Sequence, residues 1–240
     1  MRIAVFSDIH GNCLALESVL ADIKLAGVDQ LVCLGDAIQG GPQPAETVAL
    51  LRELACPIVM GNSDDWLLTG RTSASLTPLQ YQMRAWSLSK LSETDREFIT
   101  QFPPMLEMEV GSDKHLLCFH GSPRSYDDNI LPTTSDSELQ ELLGDDLTHT
   151  IYTGGHVHSQ LLRRIGDTFY FRPGSVGRVY DRNRLKVGFR LDPWAEYAIL
   201  TVAGSRLSLE FRRVPLEVEN LKAIWASTGR PDAAEEASLY

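Results

Sequence analysis

Short apolar stretches alternate with amphipathic ones along the first sixty residues of this 240-residue chain. The stretches at 3–6, 31–34 and 57–60 are apolar throughout, as is typical of strands that are buried on both faces of a sheet. Between them, residues 14–26 and 45–54 carry their apolar side chains at helical spacing. This alternation predicts βαβ units around a parallel sheet, and therefore an α/β fold.

The alternation of apolar strands and amphipathic helices ends after about residue 65. Residues 66–104 predict a helical insertion, and residues 160–214 alternate in a way that favours antiparallel strands. We expect a single domain over residues 1–227, followed by a polar, acidic and flexible tail at 228–240. The predicted elements of this part are helices at 79–91, 93–102 and 216–225, and strands at 105–110, 116–119 and 150–153.

Five of the apolar stretches are followed by side chains that can bind a metal ion. Because the carboxyl ends of parallel strands meet at one edge of a sheet, we expect these side chains to lie together. Taken singly, each is more often a turn, cap or core residue, but four of the six histidines belong to this set. Mixed oxygen and nitrogen donors are typical of Mn, Fe, Zn, Co or Ni rather than of calcium. The candidate ligands are Asp8, His10, Asp36, Asn62, His120, His156 and His158.

Charge and cysteine content limit the partners and the compartment of the protein. The net charge of −10 disfavours nucleic acids and anionic membranes as partners. No apolar run approaches the roughly 20 residues that a membrane span needs. The four cysteines are isolated from one another and form no CxxC pair, which favours reduced thiols and a cytoplasmic location. The sequence does not specify an oligomeric state.

The ordered motifs of this chain resemble those of the calcineurin-like metallophosphoesterase superfamily. Together with RPGSVG at 172–177, they are most similar to its small bacterial and archaeal phosphodiesterase branch. The resemblance extends from residue 1 to about residue 214, and it implies a four-layer αββα sandwich of two mixed sheets flanked by helices. The motifs are SDIHGN at 7–12, GD at 35–36, GN at 61–62, HG at 120–121 and GHVH at 155–158.

The same resemblance implies a binuclear metal site and a phosphoesterase activity. Two divalent transition ions, with manganese favoured for activity, would share Asp36 as a bridge between them. A metal-bridging hydroxide would then hydrolyse a phosphodiester or phosphomonoester of a small molecule or nucleotide. The implied ligands are Asp8, His10, Asp36 and His158 for one ion, and Asp36, Asn62, His120 and His156 for the other.

Three further residues are candidates for catalysis or substrate binding. Many members of the superfamily have a histidine where this chain has Ser63, so Asp64 is a candidate replacement for the missing acid, or else a cap of the following helix. Arg124, four residues after His120, could bind a substrate phosphate or simply face solvent. Asn12 could contact the substrate or cap the helix that starts there.

Other classes of function fit the sequence less well. A catalytically weak binding scaffold on the same fold is the main alternative, because Ser63 departs from the usual pattern although all seven ligands are present. A DNA nuclease is disfavoured by the net charge of −10. A serine hydrolase is disfavoured because neither Ser122 nor Ser175 lies in a G-x-S-x-G motif.

Overall fold

Two mixed β-sheets form the centre of the protein, and helices cover their outer faces. The structure is a computed structural model that describes residues 1–72, 75–111, 114–144, 147, 149–181 and 188–240. The described strands are β1 (Arg2–Phe6), β2 (Gln30–Cys33), β3 (Met105–Gly111), β4 (Lys114–Phe119), β5 (Ile151–Thr153), β6 (Gln160–Ile165), β7 (Thr168–Pro173), β8 (Trp194–Ala203) and β9 (Arg206–Pro215). The described helices are α1 (Cys13–Ala26), α2 (Pro44–Leu54), α3 (Asn62–Thr69), α4 (Pro78–Lys90), α5 (Glu93–Thr100), α6 (Asp136–Leu143), α7 (Val218–Ser227) and α8 (Ala233–Ser238).

Strand directions differ between the first and last parts of the chain. The first sheet has the order β2-β1-β8-β9, in which β1 and β2 are parallel and the other pairs antiparallel. The second sheet has the order β3-β4-β5-β7-β6, with β4, β5 and β7 parallel and an antiparallel strand at each edge. The α/β class and its two mixed sheets are therefore confirmed.

Strand β1 shows why an uninterrupted apolar run is needed at the centre of this fold. Its side chains alternate between two faces, and both faces are covered. Ile3 and Val5 pack between the two sheets, against residues of the second sheet such as Leu116. Ala4 and Phe6 pack on the other side against the helices. The second sheet is covered in turn by α6, so the order of layers is helix, sheet, sheet, helix.

The segment at 57–60, predicted as a third parallel strand, forms only an isolated bridge beside β2. Cys33 donates its backbone N–H to the carbonyl of Pro57, and Val59 donates to the carbonyl of Cys33, each at 3.0 Å. Pro57 has no N–H with which to extend the ladder. The bridge nevertheless holds the segment alongside β2 and so places Asn62 at the same edge of the sheet.

The helical insertion between residues 66 and 104 contains α4 and α5, within two residues of their predicted ends. Each helix begins at a capping box, in which the side chain of Thr77 or Ser92 accepts a hydrogen bond from the backbone N–H three residues later. Helix α6, by contrast, is absent from the sequence-based predictions.

The polar composition of residues 228–240 predicts a flexible tail, but this segment carries helix α8 and packs against the rest of the chain. Ala233, Ala237 and Tyr240 lie against the hydrophobic core. The carboxylate of Glu236 forms an ion pair with Arg178. The sequence pattern misses this packing because these contacts are made with residues distant in sequence. The limits of a single domain at 1–227 stay a prediction.

Two further structural features bear on the sequence predictions. All four cysteines are free thiols, and three of them are buried. Within the described ranges, every helix is too short or too polar to cross a bilayer.

Candidate metal centre

The candidate ligands lie where strands of both sheets end. Asp8 and His10 follow β1, and Asp36 follows β2, in the first sheet. His120 follows β4, and the histidines at 156 and 158 follow β5, in the second sheet. The structure therefore brings together side chains that are up to 150 residues apart in sequence, as strand ends in an α/β fold can do.

The first group of ligand atoms comes from Asp8, His10 and His158, here called the first trio. Its ligand atoms lie within 4.8 Å of one another. The Nε2 atom of His158 is 3.2 Å from Oδ1 of Asp8, and that of His10 is 3.8 Å from the same oxygen. All three residues are buried, so a cation bound here would be held mainly by protein atoms.

The second group comes from Asp36, His120 and His156, here called the second trio, whose ligand atoms also lie within 4.8 Å of one another. Nε2 of His120 is 3.4 Å from Oδ1 of Asp36. Oδ1 of Asn62 lies 3.0 Å from Nε2 of His120 and 3.0 Å from Nδ1 of His156. The seven candidate ligands thus form two adjacent groups, with Asn62 beside the second.

Asp36, a member of the second trio, also faces the first. Its Oδ1 faces His120, while its Oδ2 is 3.8 Å from Nε2 of His10 in the first trio. One carboxylate therefore offers an oxygen to each group, as a residue shared by two ions must do.

Backbone carbonyls fix the orientation of three histidines. The Nδ1–H groups of His10, His120 and His158 donate to the carbonyls of Gln39, Leu34 and Arg178, at 2.7, 2.7 and 2.8 Å. Each ring then directs its Nε2 atom to the centre, which is the arrangement of histidines that bind metals.

Two features of the first trio fit a bound cation. The Nε2 atoms of His10 and His158 are 3.0 Å apart, and because the Nδ1–H of each ring is donated to a carbonyl, this close approach requires a proton or a cation between the two nitrogens. Oδ1 of Asp8 is buried and has no hydrogen-bond partner among the described residues. An unpaired buried carboxylate oxygen costs free energy. A metal ion bound here would supply a partner both for this oxygen and for the two nitrogens. The donor set therefore fits the metal ions that the resemblance implies.

The electrostatic environment keeps both carboxylates ionised. Burial alone would raise the pKa of Asp8, but the charge of the neighbouring His158 outweighs burial and lowers the pKa to about 2. Burial also opposes ionisation of Asp36, and the neighbouring charge of His120 nevertheless holds its pKa far below the usual range. Two buried negative charges in one small volume favour a multivalent cation.

The histidines respond to this environment in opposite directions. Burial lowers the pKa of His10 to about 4, so its ring is neutral at pH 7 and its Nε2 is free to bind a metal. Burial would also lower the pKa of His120, but the charge of Asp36 prevails and raises it to about 10. An ion that binds the second trio must therefore displace a proton from His120.

The backbone is strained at most of the candidate ligands. Among the described residues other than glycine, seven have positive φ, and five of these seven are candidate ligands. Such conformations cost about 1–3 kcal/mol each for a side chain that is not glycine, and they gather at functional sites. Nothing in the sequence pattern indicates this strain. The five residues and their φ values are Asp8 (54°), His10 (52°), Asp36 (49°), His156 (69°) and His158 (60°).

Two glycines are required by close contact with the ligands. A Cβ atom at Gly61 would lie 2.1 Å from Oδ1 of Asp36. A Cβ atom at Gly155 would lie 2.8 Å from Oδ2 of Asp8 and 2.1 Å from the hydroxyl of Ser7. Any larger residue would displace a carboxylate, so these glycines allow the backbone to pass directly behind the ligands.

Ser63, which occupies the position of the expected histidine, holds Asp36 in place. Its backbone N–H donates to Oδ1 of Asp36 at 2.8 Å, and its hydroxyl donates to Oδ2 at 2.7 Å. Sequence comparison with the superfamily marked Ser63 only as a departure from the pattern. The structure instead gives it a positioning role, since both carboxylate oxygens are oriented by the same residue.

We expect Ser63→Ala to lower manganese affinity about 10- to 100-fold, because loss of an outer hydrogen bond to a ligand typically has that effect. Titration of the metal-free protein with Mn²⁺ measures it. Ser89→Ala, which removes an exposed hydroxyl on α4, is the matched control. Equal affinity in both variants would show that the Ser63 hydroxyl does not position Asp36.

Asp64 does not point toward the two trios. Its carboxylate is buried and accepts hydrogen bonds from the backbone N–H groups of Ala37 and Ile38, each at 3.0 Å. It therefore fixes the loop that follows Asp36, and neither a catalytic acid nor a helix cap describes its contacts. Burial, together with the charge of Asp36, raises the pKa of Asp64 to about 7.

The two substrate-binding candidates are engaged elsewhere. The side chain of Asn12 accepts from the backbone N–H of Ala15 at 3.1 Å and so caps α1, as the simpler interpretation predicts. The guanidinium of Arg124 forms ion pairs with Asp128 and Glu141, at 2.9 and 3.0 Å, and is half exposed. Neither contact directs these side chains to the metal centre.

A pocket of about 400 Å³ adjoins the first trio. His10 and His158 form one side of it, next to Asn62 and Ser63. The pocket thus gives a small ligand access to the candidate ligands. Its other walls come from the helical insertion (Trp66, Leu76, Gln80 and Met83) and from the later part of the chain (Arg178 and Glu236).

Known proteins with similar sequences and structures include phosphoesterases. The chain is 26% identical to phosphodiesterase YfcE of Escherichia coli over 186 residues, which cover 73% of this chain and 79% of YfcE. It is 33% identical over 122 residues to an uncharacterized protein of Methanocaldococcus jannaschii, MJ0912; this match covers 51% of the chain and spans only 50% of the length of MJ0912.

A solved structure with the same fold is the metallophosphoesterase from Sphaerobacter thermophilus. Its TM-score is 0.76 at 26% identity, and the alignment covers 100% of this chain and 99% of that one. The family model for the calcineurin-like phosphoesterase superfamily domain matches residues 1–192. With the fold and both groups of ligands in agreement, the chain belongs to the calcineurin-like phosphoesterase superfamily.

Proposed function

We propose that this protein is a metal-dependent phosphoesterase that hydrolyses a phosphodiester or phosphomonoester of a small molecule or nucleotide with two divalent transition ions. The observation that carries the proposal is the pair of ligand trios, in which Asp36 of the second trio also offers an oxygen to the first. Manganese is the ion that we favour for activity. The phosphodiesterase activity named for YfcE of Escherichia coli supports the same class of reaction.

When bound, two divalent ions would lower the pKa of water and stabilise charge on the phosphoryl oxygens. The chain's own residues have two roles in this proposal. Asp36 sets the spacing of the two groups, and backbone carbonyls hold the histidine rings so that Nε2 faces the centre. The adjoining pocket then receives the rest of the substrate.

The residues of the pocket favour substrates with good leaving groups. Among the described residues that line it, the histidines are His10 and His158, and both are candidate ligands. Ser63, at the position of the missing histidine, donates its hydroxyl to Asp36. No imidazole of this lining is free to protonate a leaving alkoxide, a role typically worth about 10²–10⁴-fold in rate.

The partner that we propose is a small phosphorylated molecule rather than a nucleic acid or a membrane. The net charge of −10 repels long polyanions, whereas two divalent ions would attract one phosphate group locally. A cytoplasmic location belongs to the same proposal, and it is supported by the four free thiols.

Metal analysis together with ester hydrolysis tests the proposal. We expect close to two transition ions per chain, and Mn²⁺-dependent hydrolysis of p-nitrophenyl phosphate, of its bis-ester, or of both. Treatment with a chelator should abolish the activity, and Mn²⁺ should restore it. Two bound ions without turnover of any ester or nucleotide in a panel would favour a catalytically weak binding scaffold instead.

A further inference from the structure

An arginine–glutamate pair forms one wall of the pocket beside the first trio. Nη1 of Arg178 donates to Oε2 of Glu236 at 2.6 Å, and Nη2 donates to Oε1 at 3.2 Å. The side chains of Arg178 and Glu236 are 19% and 11% exposed, so this bidentate ion pair is largely shielded from water. Charge-assisted pairs with this geometry are strong and specific.

Arg178 is connected to the metal centre in two ways. Its backbone carbonyl accepts the Nδ1–H of His158 at 2.8 Å, so the residue that carries the guanidinium also orients a candidate ligand. After burial and the charge of His158, the charge of Arg178 also contributes to lowering the pKa of His10. The guanidinium therefore lies within electrostatic reach of a phosphate at the first trio.

Glu236 is held in this position by the segment 230–240. Arg230 donates to the carbonyl of Gly41 at 3.0 Å, close to His10, and pairs with Asp232. The carbonyl of Leu239 accepts from the backbone N–H of Leu191 at 2.9 Å. These anchors lie on both sides of Glu236, and the segment falls outside the 1–192 range of the family match.

The pair affects the charge that the pocket can accept. Among the described residues that line the pocket, Arg178 is the cation, and the carboxylate of Glu236 neutralises it. A phosphodiester carries one negative charge, whereas a monoester or inorganic phosphate carries about 1.5 to 2 at pH 7. A free guanidinium would bind the additional charge through its planar fork, and a neighbouring carboxylate opposes this.

We propose that Glu236 is a specificity-determining residue that makes the pocket favour phosphodiesters over phosphomonoesters by neutralising Arg178. This inference rests on the proposed phosphoesterase function. It assigns a role in substrate selection to a helix near the end of the sequence, which the superfamily motifs do not reach.

Glu236→Gln tests the proposal against Glu235→Gln, which removes an exposed charge from the same helix. The ratio of kcat/KM for p-nitrophenyl phosphate to that for its bis-ester should rise about tenfold in Glu236→Gln, equivalent to about 1.4 kcal/mol. Titration calorimetry of the manganese-loaded proteins should show about tenfold tighter binding of inorganic phosphate to the same variant. Glu235→Gln should match the wild type in both measurements.

Arg178→Gln provides a test of opposite sign, which also serves if Glu236→Gln does not fold. This substitution leaves the carboxylate of Glu236 unpaired beside the substrate. The ratio of kcat/KM for p-nitrophenyl phosphate to that for its bis-ester should therefore fall, and so should the affinity for inorganic phosphate. Metal content and thermal unfolding establish that each variant is intact. Unchanged ratios and phosphate affinities in both intact variants would overturn the role of Glu236. If no ester is hydrolysed by the wild type, the proposed function fails, while phosphate binding still decides the inference.

Discussion

Asp36→Asn is expected to abolish phosphoester hydrolysis and to reduce bound metal from two ions to at most one. Asp36 offers one carboxylate oxygen to each trio: Oδ1 is 3.4 Å from Nε2 of His120, and Oδ2 is 3.8 Å from Nε2 of His10. In asparagine, one of the two oxygens becomes an NH₂ group that cannot bind a cation, and one negative charge is lost. We expect metal affinity to fall by more than about 100-fold, the upper end of the effect of losing an outer-shell partner.

Three measurements separate this effect from unfolding. Metal content, hydrolysis of the bis-ester with Mn²⁺, and thermal unfolding of the metal-free protein are compared among wild type, Asp36→Asn and Asp167→Asn. The control removes a fully exposed carboxylate in the turn between β6 and β7. Asparagine can still accept the backbone N–H of Ser63, so the metal-free variant should stay folded. Hydrolysis at the wild-type rate in Asp36→Asn would refute the binuclear mechanism.

The placement of the ligands was predictable because strand ends are a property of local sequence. Runs of apolar residues mark the strands, and the polar residues that follow them, such as Asp8 after β1, must lie at the sheet edge. Both strands of the first βαβ unit and the gathering of the ligands at one edge follow from this rule, whereas the division into two groups is implied by the resemblance to the superfamily. The segment at 57–60 shows its limit, since an apolar run beside Pro57 yields an isolated bridge rather than a strand.

The parts of the site that could not be predicted depend on contacts between distant residues. Nothing in the local pattern around Glu236 indicates that it meets Arg178, 58 residues earlier. The role of Ser63 likewise depends on Asp36, which lies 27 residues before it. The contacts of Asp64 could not be predicted for the same reason, because its partners are backbone N–H groups of another loop. Residue type alone does not distinguish a catalytic carboxylate from one that supports a loop.

Metal binding is expected to raise the melting temperature of the protein strongly. Without an ion, the centre buries the charges of Asp8 and Asp36 and brings the Nε2 atoms of His10 and His158 to 3.0 Å from each other. A ligand that binds only the native state at 1,000 times its dissociation constant stabilises it by about 4.1 kcal/mol. Since 1 kcal/mol shifts the melting temperature of a protein of this size by about 2–4 °C, one such ion should add about 8–16 °C.

The increase in melting temperature on metal binding should also depend on pH, and it should grow as the pH rises. In the metal-free protein the raised pKa of His120, about 10, contributes stability that is complete below its unfolded value of 6.5 and is lost as the pH rises through about 10. An ion must displace this proton, so its affinity should increase as the pH rises from 6 to 8. The increase in melting temperature on adding Mn²⁺ should therefore be larger at pH 8 than at pH 6.

Differential scanning calorimetry of chelator-treated protein, with and without added Mn²⁺, measures this gain. Calcium is the matched control ion, because it requires oxygen ligands and four of the seven candidates here are histidines. We expect a small shift with calcium, a large shift with manganese, and a much reduced manganese shift in Asp36→Asn. Equal shifts with both ions, or the same manganese shift in wild type and Asp36→Asn, would mean that manganese binds outside the two trios. The strained ligand backbone and the close approach of His10 and His158 would then need a different explanation.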